Sequence, residues 1–475
     1  MDEQEKTTPA PQNTRRRKRS KMQIFKEVYL PAIIVGAALI IILILIIGSI
    51  VRAFQKREAE AEQAISASIA ESQEVNRLEA EATQILLEAA EAVKHYDYDA
   101  GIEVLARFTG DWSLYPQIAE RHDQYKSAKE SMVLWPETQP ILNLSFQILI
   151  ADAQRAFNDP TGYADSYKNH YVTTEEFQKI LEQLYLNDYI LVDIDDCYAR
   201  ETDDYGNVCF TAKPLYLPAG KKPLIITQTN VCYNLYIVDS DGDNRADKDG
   251  AGFANKLIID ENNNLAASIF TETGEVESGA YDLVPILEAF IETHPDFTYK
   301  GARAILALTG FDGILGYRTD PDGKRYLTED EYNKEVSDAQ KVYTALKNCG
   351  YDFACYTYRN KGYGDFTLEE IQSDIAQWKD EVVPLIGDTD LFVFAQLSDI
   401  ADNKLPYDNE KYTFLKEQGF NLYSGFCLDG VQWQSNNSDH VRMGRILVTA
   451  ANLKNNPEWF TGILDPNYVL TANRG

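Results

Sequence analysis

A parallel α/β barrel behind a membrane-type N-terminal segment is predicted by three features of this 475-residue chain. Beyond residue 140, short β-branched apolar runs alternate with amphipathic helical runs, the pattern of a parallel sheet with helical crossovers. About seven such units occur, enough to close a barrel. Positions 29–51 carry no charge, and the run from Leu30 to Gly48 is almost wholly apolar, long enough to span a bilayer that needs roughly 20 such residues. Finally, 55–94 is rich in Ala and Glu with neither Gly nor Pro, the composition of a long helix.

Each element follows in order. Residues 1–14 are polar with Pro9 and Pro11 and read as a disordered tail. Arg15-Arg16-Arg17-Lys18-Arg19-Ser20-Lys21 and Lys26 precede the apolar segment, whereas only Arg52, Lys56 and Arg57 follow it closely. The positive-inside rule then keeps 1–28 cytoplasmic and puts everything after the span outside, with 29–51 as an uncleaved signal anchor. In 55–94, Val75, Leu78, Ala82, Leu86, Ala89 and Val93 recur at helical spacing. Shorter helical patterns at 98–108 and 115–134 complete a helical stalk over 52–135, a spacer or a seam for self-association.

Pro136 and Pro140 bracket the boundary to a domain spanning 136–475. Strands are expected at 141–150, 189–192, 224–227, 304–308, 352–356, 391–394 and 422–426. Helices are expected at 283–292, 329–348, 367–385 and 412–418. Thr173-Thr174-Glu175-Glu176 has the spacing of a capping box and opens a helix with Phe177, Ile180, Leu181 and Leu184 on one face.

Residues 1–28 hold eight Lys/Arg against four Asp/Glu, a net of +4. The whole chain is −29, so the remainder carries −33, which argues against nucleic acid as a partner. All six cysteines lie beyond residue 190 without a CxxC pair, which argues against a zinc ribbon. Cys197 and Cys209 could pair across a loop; free buried thiols fit equally well. Asp239, Asp241, Asp243 and Asp247 alternate as in a calcium loop, with Asn244 at the glycine position and Gly250 at that of the last glutamate. The choice there lies between a structural calcium and a solvated acidic loop. Tyr356, Tyr358, Tyr363, Trp378 and Trp433 are candidates for stacking on a sugar.

Gly252-Phe253-Ala254-Asn255-Lys256-Leu257, the run from Gly279 to Pro285, the run from Leu308 to Asp320, and Val441-Arg442-Met443-Gly444-Arg445 resemble segments of the polysaccharide deacetylase (NodB-homology) family, in a membrane-anchored bacterial subgroup. The resemblance covers about 141–465 and implies a distorted (β/α) barrel that removes acetyl groups from N-acetyl sugars of chitin-like or cell-wall glycans. It further implies a zinc held by one Asp and two His, with a second Asp as general base.

The site positions depart from that pattern. The strand end Thr227-Gln228-Thr229-Asn230-Val231 places Thr229 at the base position and Asn230 at a ligand position. Tyr356 and Asn360 take the histidine positions, Gln147 stands where the subgroup carries a His, and Ala395-Gln396-Leu397 replaces a Pro-aromatic-Gly loop. Amide, hydroxyl and phenol groups are poor zinc ligands, and a threonine hydroxyl is far too weak a base. His170, His294 and His440 are widely separated in this domain, so none forms a metal-type pair. The sequence is therefore read as a catalytically inactive homologue kept for binding cell-wall glycan or for an envelope role, its zinc lost. The alternatives are an active metal-dependent deacetylase, with Asp312 or Asp195 and Asp196 entering the cleft, and an interaction protein acting through the stalk.

Overall fold

The computed structural model describes residues 20–204, 206, 208–239, 246–401, 405–471 and 474, in two compact units, Met1–Thr83 and Gln84–Gly475. In the first, a turn of helix at Lys21–Ile24 capped by Ser20 and a π-helical turn at Phe25–Tyr29 lead into the helix Leu30–Val93. This helix is long and apolar enough to cross a membrane, and the side chains of its apolar stretch are uncovered. With neither Gly nor Pro over 52–94, nothing stops the helix, so the apolar span and the first stalk helix are one continuous element.

In the second unit the end of that helix forms a small bundle with helices Tyr98–Ala106 and Pro116–Glu130. Gly101 permits the close approach; a Cβ there would lie 2.6 Å from Val93 Cγ2 and 3.3 Å from the Tyr125 ring. The bundle is tied to the barrel by Lys300 N donating to His95 O at 2.7 Å.

Eight parallel strands follow: β1 (Leu142–Phe146), β2 (Tyr189–Leu191), β3 (Lys222–Thr229), β4 (Ile305–Leu308), β5 (Asp352–Cys355), β6 (Leu391–Val393), β7 (Leu422–Phe426) and β8 (Val441–Leu447). Seven close a ring in the order β1-β3-β4-β5-β6-β7-β8 and back to β1. The eighth, β2, lies outside the ring and distorts it. One edge of β3 pairs with β2 at Lys222–Leu224 and then with β4 at Thr227–Thr229, while β1 runs along the other edge. The predicted barrel is thus the observed one.

Side-chain alternation sorts the strands into two layers. Leu144, Phe146, Leu224, Ile226, Leu306, Leu308, Phe353, Phe392 and Ile446 face the helices in the main core. Ile225, Ile305, Ala307, Ala354, Tyr356, Val393, Ala395, Val441 and Met443 fill the barrel. The covering helices include Thr174–Leu186, Leu283–Thr293, Glu329–Cys349, Leu368–Glu381 and Glu410–Glu417. The capping box at Thr173 is formed, with Glu176 N donating to Thr173 Oγ1 at 3.1 Å and Thr173 N to Glu176 Oε2 at 2.8 Å.

Three differences from the sequence expectation stand out. Strand β8 was not expected, because two arginines and a glycine mask its apolar alternation. Tyr198–Thr202 with Val208–Ala212, and Lys256–Ile259, Leu265–Phe270 and Val276–Gly279, form small antiparallel sheets off the barrel. Lastly, β1 ends at Phe146 rather than 150, since Leu149 N is drawn to the Asp282 carboxylate.

Candidate functional site

At the C-terminal ends of the barrel strands lies a cavity of about 360 Å³. Active sites of α/β barrels sit at this end, because the loops there converge from separate strands. Wider depressions of about 640 and 790 Å³ lie elsewhere, the first beside the N-terminal starts of β5 and β6 and the second beside the small helical bundle.

The wall is built by strand parity. Ser145, Thr229, Tyr356 and Arg445 turn inward from β1, β3, β5 and β8, and all are buried. Gln147, Asn230, Asn360, Gln396 and Leu397 add the loops just beyond the strands. Thus Gln147, Thr229, Asn230, Tyr356 and Asn360, drawn from three separate stretches of sequence, share one cavity. Four lining residues have left-handed backbone, Asn230 (φ 61°), Asn360 (53°), Gln396 (55°) and Leu397 (55°), as does Thr357 (57°) next to Tyr356. For β-branched Thr357 this is a true outlier, held by Lys361 N donating to its Oγ1 at 2.9 Å. Such strain gathers where a site over-determines the backbone.

The polar groups are partly engaged with one another. Thr229 Oγ1 donates to Phe146 O at 3.1 Å. The Asn230 amide is taken from both sides, donating to Asn234 Oδ1 at 2.7 Å and accepting from the Cys232 thiol at 3.2 Å. Tyr356 interacts with Thr229 and with Arg445; burial raises its phenol above the ordinary value, partly offset by the guanidinium, so it stays neutral. Ser145 Oγ and Asn360 Oδ1 are buried and have no hydrogen-bond partner among the described residues.

Sequence reasoning missed Ser145, His170, Tyr171, Tyr236 and Arg445 as parts of this cavity. Arg445 is the most consequential, and its only signal was an arginine at alternate spacing from Val441 and Met443. Of the three histidines in the domain only His170 reaches the cavity, at its exposed mouth. His440 is buried beside Asp439 and Tyr412, and His294 stacks on Phe290.

Among the described residues no Asp or Glu lines the cavity. Asp312 turns aside, accepting from Asn234 Nδ2 at 3.2 Å and Leu235 N at 3.0 Å. Asp195 lies by the depression at the opposite end of the barrel, where it pairs with Arg200. A zinc ion does not fit these walls: among the described residues a single imidazole, His170 at the mouth, is joined only by neutral amides, hydroxyls and phenols, and the one permanent charge, Arg445, is positive. Among the described residues no group of three or more His, Cys, Asp or Glu is placed to hold a metal ion.

Of the alternating acids, Asp241 and Asp243 lie outside the described residues. Asp239 is buried, and Asp247 Oδ1 accepts from Asp249 N at 2.7 Å. Cys197, Cys232, Cys349, Cys355 and Cys427 are free thiols, so the pairing of Cys197 with Cys209 is not formed. Four of the five aromatic candidates do not line the cavity. Trp378, Tyr358 and Tyr363 are buried in the main core, and Trp433 donates from Nε1 to Phe426 O at 2.9 Å. Tyr356 alone of them lines it.

No protein-family model and no curated protein matches the chain. Among solved structures it is similar, distantly, to the Streptococcus pyogenes deacetylase PplD in complex with acetate, at 8% identity over 69% of this chain and 99% of that one, with a TM-score of 0.33.

Proposed function

We propose that this chain is a membrane-anchored extracytoplasmic protein whose deacetylase-like barrel does not hydrolyse and serves to bind a glycan of the cell envelope. The observation that carries the reading is the cavity wall. Where metal-dependent deacetylation needs carboxylate and imidazole, five positions from separate segments meet as Gln147, Thr229, Asn230, Tyr356 and Asn360. A lone imidazole, His170 at the mouth, stands among the described lining residues without the carboxylates and second imidazole that metal polarisation and carboxylate activation of water require. What the wall does supply is what a sugar ring needs: hydroxyl, amide and phenol groups around a cleft.

The apolar helix supplies the anchor, and the basic run 15–21 before it sets the orientation, with the cavity outside. Residues 52–135 then act as the spacer between membrane and barrel.

Three measurements on the purified protein test this. Metal analysis is expected to find no stoichiometric zinc, and incubation with N-acetylated cell-wall glycan or chitin oligomers is expected to release no acetate. Tightly held zinc together with acetate release would establish the active-deacetylase alternative. Retention on a cell-wall or chitin fraction is the expected positive result, and failure to be retained on either would refute the binding role.

A further inference from the structure

We infer that a smaller cavity beside the loop after β4 binds a primary ammonium group, received by the carboxylates of Asp312 and Asp320 and bordered by the rings of Phe311 and Tyr326. It measures about 200 Å³ and is walled by the 311–327 segment and by Leu235, in the turn of helix after β3. It shares no described lining residue with the cavity at the strand ends, so the inference does not depend on the glycan reading.

The first support is Asp320, which is 5% exposed. Its Oδ2 accepts from Gly323 N at 3.1 Å, while Oδ1 is buried and has no hydrogen-bond partner among the described residues. A buried carboxylate oxygen without a donor is costly, and few occur in a native fold. Gly323 also lines the cavity, and a Cβ there would lie 3.1 Å from that oxygen, so glycine keeps the space beside it clear. A cationic donor lodged in that space supplies the missing partner.

The second support is the charge around that oxygen. Asp312 Oδ2 accepts from neutral groups, Asn234 Nδ2 at 3.2 Å and Leu235 N at 3.0 Å, and neither Asp312 nor Asp320 forms an ion pair with a described residue. Asp322 is matched by Arg325 at 3.0 Å. Among the described lining residues Arg318 is the one cation, and its guanidinium is turned to the carbonyls of Asp312 at 2.6 Å and Tyr233 at 2.8 Å. Two carboxylates against one guanidinium leave the wall negative. Burial and then the Asp320 charge raise the nearby Tyr332 phenol, in keeping with that field.

The arrangement also selects among cations. The acids of this wall are not grouped to hold a metal ion, since among the described residues no three His, Cys, Asp or Glu are so placed. A primary ammonium suits separated carboxylates better: its three N–H groups reach different oxygens, and each such bond is charge-assisted. Phe311 and Tyr326 are 41% and 45% exposed at the rim, where aromatic faces attract a cation and cover the ring or chain that carries it. A volume of about 200 Å³ is below that of a cavity for a drug-sized ligand and fits an ammonium head with its body on the two rings.

Calorimetric titration of the full chain in detergent at about pH 7, where amines are largely protonated, tests this. The probes are butylamine, its neutral isostere butanol, glucosamine and calcium chloride. Butylamine is expected to bind about tenfold or more tightly than butanol and to weaken as salt is added. Asp320→Asn keeps an acceptor for Gly323 N and removes the charge, and is expected to cost about tenfold in butylamine affinity. Asp322→Asn, whose charge is already matched by Arg325, is expected to cost less than about twofold. Should Asp320→Asn not fold, the wild-type comparison of butylamine with butanol still decides. Glucosamine binding that is lost in Asp320→Asn supports the site and identifies an amino sugar as the body; binding of butylamine alone supports it with an alkyl chain. Equal binding of butylamine and butanol, amine binding undiminished in Asp320→Asn, or failure of both amines overturns the inference and leaves the glycan reading intact. Displacement of butylamine by calcium, lost in Asp320→Asn, overturns it in favour of a metal site.

Discussion

Asp282 accepts from Gln228 Nε2 on both carboxylate oxygens at 2.9 Å, joining the start of the helix Leu283–Thr293 to the end of β3. The same carboxylate accepts from Leu149 N at 2.9 Å and from the Tyr233 hydroxyl. It is fully buried, and burial raises its pKa against the pull of these neutral donors. One acid therefore fixes the segment after β1, the end of β3 and the turn after β3, which are the elements that place Gln147, Thr229 and Asn230.

Replacing Asp282 by Ala removes the acceptor and strands buried donors, at a cost of about 3 kcal/mol. Asp282→Asn is expected to cost about 2 kcal/mol, because its amide nitrogen turns a donor toward donors. Urea unfolding of the two variants measures both, and an unchanged midpoint for Asp282→Asn would show that the network does not hold the site.

Trp378 separates structural aromatics from ligand contacts. Its Nε1 donates to Leu308 O at 2.9 Å, and its ring packs edge-on to Phe420 at 6.1 Å within the core. Trp378→Phe keeps most of the apolar volume and removes one of two donors to that carbonyl, which Tyr356 N still reaches at 2.9 Å, and should cost about 1 kcal/mol. Sugar binding well below the melting midpoint should be unchanged. A selective loss of binding without loss of stability would put Trp378 back among the sugar-contacting residues.

The fold was legible wherever physics acts locally. Apolar runs such as Leu224-Ile225-Ile226 mark strands buried on both faces, and capping boxes at Thr173, Thr328 and Thr367 open helices. Strand β8 was hidden because Arg442 and Arg445 are buried by partners remote in sequence, the carbonyls of Leu405, Phe394, Ser424 and Gly425. No local pattern announces such an arginine. The same reason hid Arg445 and Ser145 from the site, whereas Gln147, Thr229, Asn230, Tyr356 and Asn360 were found through a resemblance that tracks motifs rather than contacts. Asp312, the alternative acid for the cleft, has a left-handed backbone of its own (φ 64°) and bonds to Asn234 and Leu235, which no local sequence pattern announces.

At the opposite end of the barrel, Asp193 caps the short helix Ile194–Cys197 through Asp195 N at 2.7 Å and lies close to Asp352. Burial, then Asp352, then Asp195 and Asp196 push it up to about 7, opposed by the Asp195 N–H. Asp352 is also raised by burial, partly countered by Lys347 at 3.0 Å, and Arg200 joins the cluster through Asp195 and Asp390. Between the ordinary carboxylate range and pH of about 7 the folded state therefore binds more protons than the unfolded chain, so stability falls as pH rises through that window. Glu176 works in the opposite sense: burial raises it, but Arg474 and backbone N–H groups outweigh burial and hold it below 4.5. Its contribution is lost only below that value, outside the window. Asp193→Asn keeps an acceptor for the cap and removes the titration. We expect the variant to be about 1–2 kcal/mol more stable than the parent at pH 8, after allowance for solvent screening, and equal to it near pH 4. Melting curves at pH 4, 6 and 8 measure the difference, and parallel pH profiles for the two proteins would show that the Asp193–Asp352 pair carries no proton in the folded state.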